Sequence, residues 1–91
     1  MSPAEPRYKR DVRLPYQEVQ GQAVVVAPSR REVHEFDETA TFLWSALGRE
    51  RTLADLVGEL CEEFDVDEKA AEEDVRGFLS LLEEKGLVLR A

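Results

Sequence analysis

The sequence predicts one small α+β domain, a three-stranded antiparallel sheet followed by three helices. Two observations carry this. Up to Phe36 the apolar residues alternate or run in short β-branched stretches, punctuated by Gln20-Gly21-Gln22 and Pro28-Ser29-Arg30. From Asp37 onward the apolar period becomes helical, and three stripes follow in succession. A chain of 91 residues with 43% apolar content can bury one core but has little volume to spare for an enclosed active site.

Residues 1–10 hold Pro3 and Pro6 and show no periodicity, so they are expected to form a loose, flexible tail ahead of a folded domain spanning 11–91. The first strand is read over Val12–Val19, with Leu14 and Tyr16 on one face; Pro15, lacking an amide hydrogen, suits an edge. The second is Gln22–Ala27, whose run Ala23-Val24-Val25-Val26-Ala27 has the pattern of a buried middle strand. The third is Arg31–Phe36. It places His34 and Phe36 toward the core, and Arg31, Val33 and Glu35 on the opposite face. In a simple meander the far edge of this third strand is free, a template for another strand.

Asp37 is a natural N-cap for the first helix, whose stripe is Ala40, Leu43, Trp44 and Leu47 before Gly48. Thr52-Leu53-Ala54-Asp55 reads as a capping box for the second, with Leu53, Leu56, Val57, Leu60, Cys61 and Phe64 as its stripe. The third starts at Asp67 and stops at Gly86, with Ala71, Val75, Phe78, Leu79 and Leu82 as its main arc. Ala70, Gly77 and Leu81 form an apolar shoulder beside that arc. A mid-helix glycine costs roughly 1 kcal/mol relative to alanine, so Gly77 implies a close approach, either by backbone of this domain or by a bound peptide. Leu87-Val88-Leu89 reads as a closing strand or an apolar plug. Strands followed by tandem helices are the layout of a winged-helix module, which binds either nucleic acid or protein.

Charge favours protein. The chain holds 12 Lys+Arg against 20 Asp+Glu. Residues 1–36 carry six basic and five acidic groups, whereas residues 37–91 carry six and fifteen. The candidate recognition helix opens Asp67-Glu68-Lys69-Ala70-Ala71-Glu72-Glu73-Asp74, five acids to one base, a surface that repels phosphate. Nucleic acid is therefore not an expected partner.

Catalysis is not expected either. One histidine and one cysteine cannot make a His/Cys metal cluster, and every Ser-His-Asp or Cys-His set would share His34. The five glycines are isolated and form no phosphate loop. No cofactor is implied. No apolar run approaches a membrane span, and the first residues lack the apolar core of a signal peptide. Cys61 lies on an apolar stripe, as a small buried hydrophobe would in a reduced compartment, so the expected location is cytoplasmic.

Several stretches together resemble a known family. They are Val12-Arg13-Leu14, Val24-Val25-Val26-Ala27-Pro28, Phe36-Asp37-Glu38-Thr39-Ala40, Leu43-Trp44, Arg51-Thr52-Leu53, Leu56-Val57, Phe64, Asp74-Val75, Phe78-Leu79, Leu82 and Gly86-Leu87-Val88. In order and spacing they resemble the PqqD family, small peptide chaperones of pyrroloquinoline quinone biosynthesis. They also resemble the wider group of recognition elements for precursor peptides that are ribosomally made and then modified. The turn at Pro28-Ser29-Arg30-Arg31 is longer than that pattern, and His34 stands where an apolar or aromatic residue is expected.

The resemblance implies a winged-helix-like fold that captures a leader peptide as an added strand and presents it to a tailoring enzyme, a radical S-adenosylmethionine enzyme in the PqqD case. Carried over by position, the peptide site falls on Arg31, Glu32, Val33, His34, Glu35 and Phe36 of the third strand. Its helical wall falls on Asp74, Gly77, Phe78, Leu81 and Lys85. Without peptide, the same edge is able to pair with a second copy as a homodimer. The competing reading is a winged-helix transcription regulator or regulatory module, which would have to use Arg7, Lys9, Arg10 and Arg13, or Arg30 and Arg31, as its basic surface.

Overall fold

The computed structural model describes residues 5–27 and 30–90. Its elements are β1 (Tyr8–Arg10), β2 (Tyr16–Val19), β3 (Gln22–Ala27), β4 (Glu32–Glu35), α1 (Glu38–Ala46), α2 (Leu53–Glu63), α3 (Glu68–Lys85) and β5 (Val88–Arg90). The antiparallel sheet β2-β3-β4 followed by three helices is the predicted α+β arrangement. Pro28 and Ser29 of the β3–β4 turn, and residues 1–4 of the expected tail, lie outside the described residues.

The amino-terminal segment differs from the sequence expectation in two places. Tyr8–Arg10 is not loose: it is a strand paired antiparallel with β5, Tyr8 opposite Arg90 and Arg10 opposite Val88. The backbones of Tyr8 and Arg51 exchange hydrogen bonds of 2.8 and 2.9 Å, and Arg10 N–H donates to Leu47 O at 2.8 Å. The Arg10 guanidinium then lies 5.0 Å from the Tyr16 ring centre and 5.8 Å from that of Trp44. The first strand of the meander is also shorter than predicted. Asp11 instead organises a turn, accepting Arg13 N–H at 3.0 Å and the Arg13 guanidinium at 3.0 and 2.9 Å.

Those hydrogen bonds from the Arg13 side chain, and next from its backbone, hold the buried Asp11 carboxyl below its ordinary 3.8. A depressed folded-state value means the stabilisation is complete above the ordinary value and is lost as pH falls through the lower one. Asp11→Ala is therefore expected to be less stable than the parent at pH 7, with the difference shrinking well below pH 3.8. Urea midpoints of both proteins at pH 7 and at the lowest pH that keeps the parent folded measure it.

The helices follow their predicted signals. Asp37 Oδ1 accepts Ala40 N–H at 2.8 Å to open α1, Thr52 and Asp55 form the capping box of α2, and Asp67 Oδ1 accepts Ala70 N–H at 2.7 Å to open α3. Gly86 ends α3 at φ +71, with Leu87 N–H reaching back to Leu82 O at 2.8 Å. A Cβ at Gly86 would meet nothing closer than 3.8 Å, so only backbone strain opposes a side chain there. Gly86→Ala is expected to lower stability by about 1–2 kcal/mol in chemical denaturation.

One face of each element meets in the core. Trp44, Leu43, Leu47, Leu56, Leu60, Val75, Leu82 and Leu87 are fully buried, as is Val25 of β3. The arc read for α3 is the arc that is buried, Ala71 through Leu82. At the sheet's end the Thr41 hydroxyl of α1 accepts Ala23 N–H at 2.8 Å and lies 3.5 Å from Phe36 O. That stitch fixes the angle at which β4 runs into α1.

Candidate functional site

β4 is an edge strand, hydrogen-bonded to β3 alone. Its register fixes which backbone groups are free. Phe36 N–H donates to Ala23 O at 2.9 Å, and Val25 opposes His34 while Ala27 opposes Glu32. In an antiparallel pair, hydrogen-bonded positions alternate with open ones. Glu32, His34 and Phe36 therefore spend their backbone groups on β3, and the N–H and C=O of Val33 and Glu35 face outward along the edge.

The side chains alternate the other way. Glu32, His34 and Phe36 lie on the helix-facing side, opposite the buried Ala27, Val25 and Ala23. Phe36 is buried, its ring 5.3 Å from that of Phe78 in a T-shaped contact and 5.6 Å from that of Trp44. Val33 and Glu35 point to the far face of the sheet and are exposed. Arg31 is in the turn before β4 at φ +55, exposed and outside the strand.

On α3, Asp74, Gly77, Phe78, Leu81 and Lys85 recur at helical spacing and share one flank of the helix. Two contacts tie that flank to β4: the Phe36–Phe78 ring pair, and Lys85 Nζ at 3.4 Å from Glu32 Oε2. The other Glu32 oxygen stands 3.7 Å from His34 Nε2, beyond hydrogen-bond distance, and both atoms are buried without a partner. Between these ties the wall is open. Gly77 is exposed, and a Cβ built on it meets nothing within 4 Å. The close approach that Gly77 suggested is thus not made by this domain's own described backbone. Leu81 beside it is 40% exposed, although it is a large aliphatic residue.

The residues predicted for the site are brought together unequally. Glu32, His34, Phe36, Phe78 and Lys85 converge on the cleft between β4 and α3. Val33 and Glu35 offer backbone groups only, and Arg31 stands aside. Asp37, Thr39, Ala40 and Leu43, none of them among the residues predicted for the site, line with Asp74 and Phe78 a concavity of about 240 Å³ at one end of the cleft. The first three belong to the Phe36–Ala40 stretch already noted, but their spacing speaks of a helix cap, and only the fold turns them toward α3. Among the described residues no group of three or more His, Cys, Asp or Glu is placed to hold a metal ion, and no helix is long and apolar enough to cross a membrane.

Residues 22–88 match the family model described as Coenzyme PQQ synthesis protein D (PqqD). A PqqA binding protein of Xanthomonas oryzae pv. oryzae (strain PXO99A) is 36% identical over 84 residues, which are 92% of this chain and 89% of that one. A PqqA binding protein of Rhizobium meliloti (strain 1021) is 37% identical over 73 residues, 80% and 72% of the two chains. Among solved structures, TbiB1 in complex with the TbiA(beta) leader peptide aligns over 88% of this chain and 93% of that one, with a TM-score of 0.77 at 24% identity. A lasso peptide synthetase B1 complexed with the leader peptide aligns over 90% and 96%, with a TM-score of 0.77 at 21% identity. These two likenesses are ones of fold.

Proposed function

The chain belongs to the PqqD family, and from that premise we propose that it is a non-catalytic adaptor that binds the leader of a ribosomally made precursor peptide and presents it to a tailoring enzyme. The observation that carries the proposal is the unpaired edge of β4 standing beside an open, apolar flank of α3. A peptide entering as a fourth strand would exchange main-chain hydrogen bonds with Val33 and Glu35. Its alternate side chains would turn toward Gly77, Phe78 and Leu81, where the missing Cβ of Gly77 leaves room.

The rest of the cleft supplies direction and specificity. Glu32 and Lys85 present opposite charges at one end, and Asp37 and Asp74 present two acids at the other. The relatives named as PqqA binding proteins favour a peptide of the PqqA kind and a radical S-adenosylmethionine enzyme as the recipient. Such a peptide leaves the ribosome in the cytoplasm, which is where the adaptor would act. A second copy pairing through the same edge would compete with the peptide, so affinity would fall as adaptor concentration rises.

A ¹H–¹⁵N titration with the leader segment of a candidate precursor tests this. Saturable shifts concentrated in 31–36 and 74–85 are the expected result. A folded spectrum that does not respond to the leader, or responses confined to other elements, would refute the site.

A further inference from the structure

The sheet has a second face that no described part of the chain covers. Ala23, Val25 and Ala27 of β3 turn inward and are buried, whereas Val24 and Val26 turn outward. An unbroken apolar strand ordinarily has a packed layer on both sides; this one has a layer on one side. Val26 is 36% exposed, and Val33 on β4 is 62% exposed. Among the seven outward positions of β2, β3 and β4 only Glu35 is charged, in a chain of net charge −8. Pro15, Tyr16, Gln17, Val24 and Val26 line a concavity of about 440 Å³ on this side.

The register gives the patch a direction. Val26 N–H donates to Pro15 O at 3.0 Å, and Val26 opposes Val33, so Pro15, Val26 and Val33 stand in one row across the sheet. The row ends at Val33, whose own N–H and C=O face the open edge. A strand added there would place the residue opposite Val33 next in the row, about 4.8 Å away.

We propose that this outer face is the docking surface for the enzyme that acts on the captured peptide, and that the enzyme reads a composite of Pro15, Val24, Val26, Val33 and the outward side chains of the added strand. The inference rests on strand addition at β4. The partner it fits has an apolar, weakly charged patch that spans both components. A second copy of this chain fits less well. Three strands of about five residues offer only about 240 Å², against about 800 Å² per partner in a stable interface, and each copy carries −8. An enzyme can extend its contact onto the peptide beyond the sheet. Because the peptide supplies part of the surface, it must raise the adaptor's affinity for the enzyme, and the enzyme must raise the adaptor's affinity for the peptide by the same factor.

The test uses the whole chain, the leader peptide and the purified tailoring enzyme encoded with that precursor. Leader affinity and enzyme affinity are measured separately, the latter with and without leader, for the parent, Val26→Lys and the double variant Val24→Thr/Val26→Thr. The threonine pair keeps β-branching and serves if the lysine disturbs the sheet. Expected are leader binding within about twofold of the parent and enzyme binding weakened by about tenfold or more. Enzyme binding unchanged in both variants would overturn the proposal. So would leader binding that falls in parallel, or a parent dimer in sedimentation that either variant dissociates. A parent that binds no leader would instead refute strand addition, and the leader-free enzyme titration would still decide whether the outer face docks the enzyme.

Discussion

Leu81→Asp is expected to weaken leader capture by about 100-fold or more while the domain stays folded. Leu81 lies in the middle of the open flank of α3, 40% exposed, beside Gly77, where nothing approaches within 4 Å. A peptide laid on that flank would strip water from the aspartate, while Lys85, one turn along, already faces Glu32 at 3.4 Å; a poorly paired carboxylate is strongly disfavoured under an apolar contact. The same position makes little of the core, so the cost to stability should stay near or below about 1 kcal/mol. Calorimetry with the leader, alongside a thermal melt, separates the two effects. Unchanged affinity in a folded Leu81→Asp protein would place the peptide elsewhere.

The largest effect on stability is expected at Trp44. It is fully buried, 5.9 Å from Tyr16 and 5.6 Å from Phe36 between ring centres, and so joins α1 to both β2 and the end of β4. Truncating a buried tryptophan to alanine costs about 3–5 kcal/mol, a large share of the roughly 5–14 kcal/mol available to a domain of this size. Trp44→Ala should therefore lower the melting temperature by about 15–30 °C or prevent folding outright. Trp44→Phe should do much less harm, because the indole Nε1 makes no hydrogen bond in the protein and only packing is lost. Comparable melting temperatures for the two variants would mean that the indole volume is not what joins the layers.

The legible parts of this chain were those written in local chemistry. Asp37, Thr52, Asp55, Asp67 and Gly86 mark helix ends that fall within a residue or two of where the sequence puts them. The free edge of β4 was also legible, since three short strands with tight turns leave the last one unpaired on one side. What local chemistry could not reveal depends on residues far apart in the chain. Tyr8-Lys9-Arg10 has no periodicity of its own, and it becomes a strand only because β5, some 80 residues later, offers a partner. Val12-Arg13-Leu14 looked extended, but the Asp11 carboxylate two residues before Arg13 gathers the chain into a turn. Composition marked Val24 and Val26 as buried like Val25, whereas the domain supplies helices on one side of the sheet only. On α3, spacing marks only the shoulder of Ala70, Gly77 and Leu81, and the wall of Asp74, Phe78 and Lys85 is what the family resemblance implies. The concavity at Asp37, Thr39 and Ala40 needed the angle between β4 and α1 that Thr41 sets.

The pairing of β1 with β5 has a consequence for how this domain can be joined to other proteins. Tyr8 and Arg90 are direct neighbours on antiparallel strands, and the Tyr8 hydroxyl accepts a hydrogen bond from the Arg90 guanidinium at 3.1 Å. The polypeptide thus enters and leaves the domain side by side, through a two-stranded ribbon that is separate from the β2-β3-β4 sheet and packed on the core by Tyr8 and Val88. A unit built this way can be spliced into a surface loop of a larger enzyme without opening either structure, since adjacent ends are what insertion requires. Such a unit could be carried inside a longer polypeptide, with one linker entering at Tyr8 and another leaving beside it at Arg90.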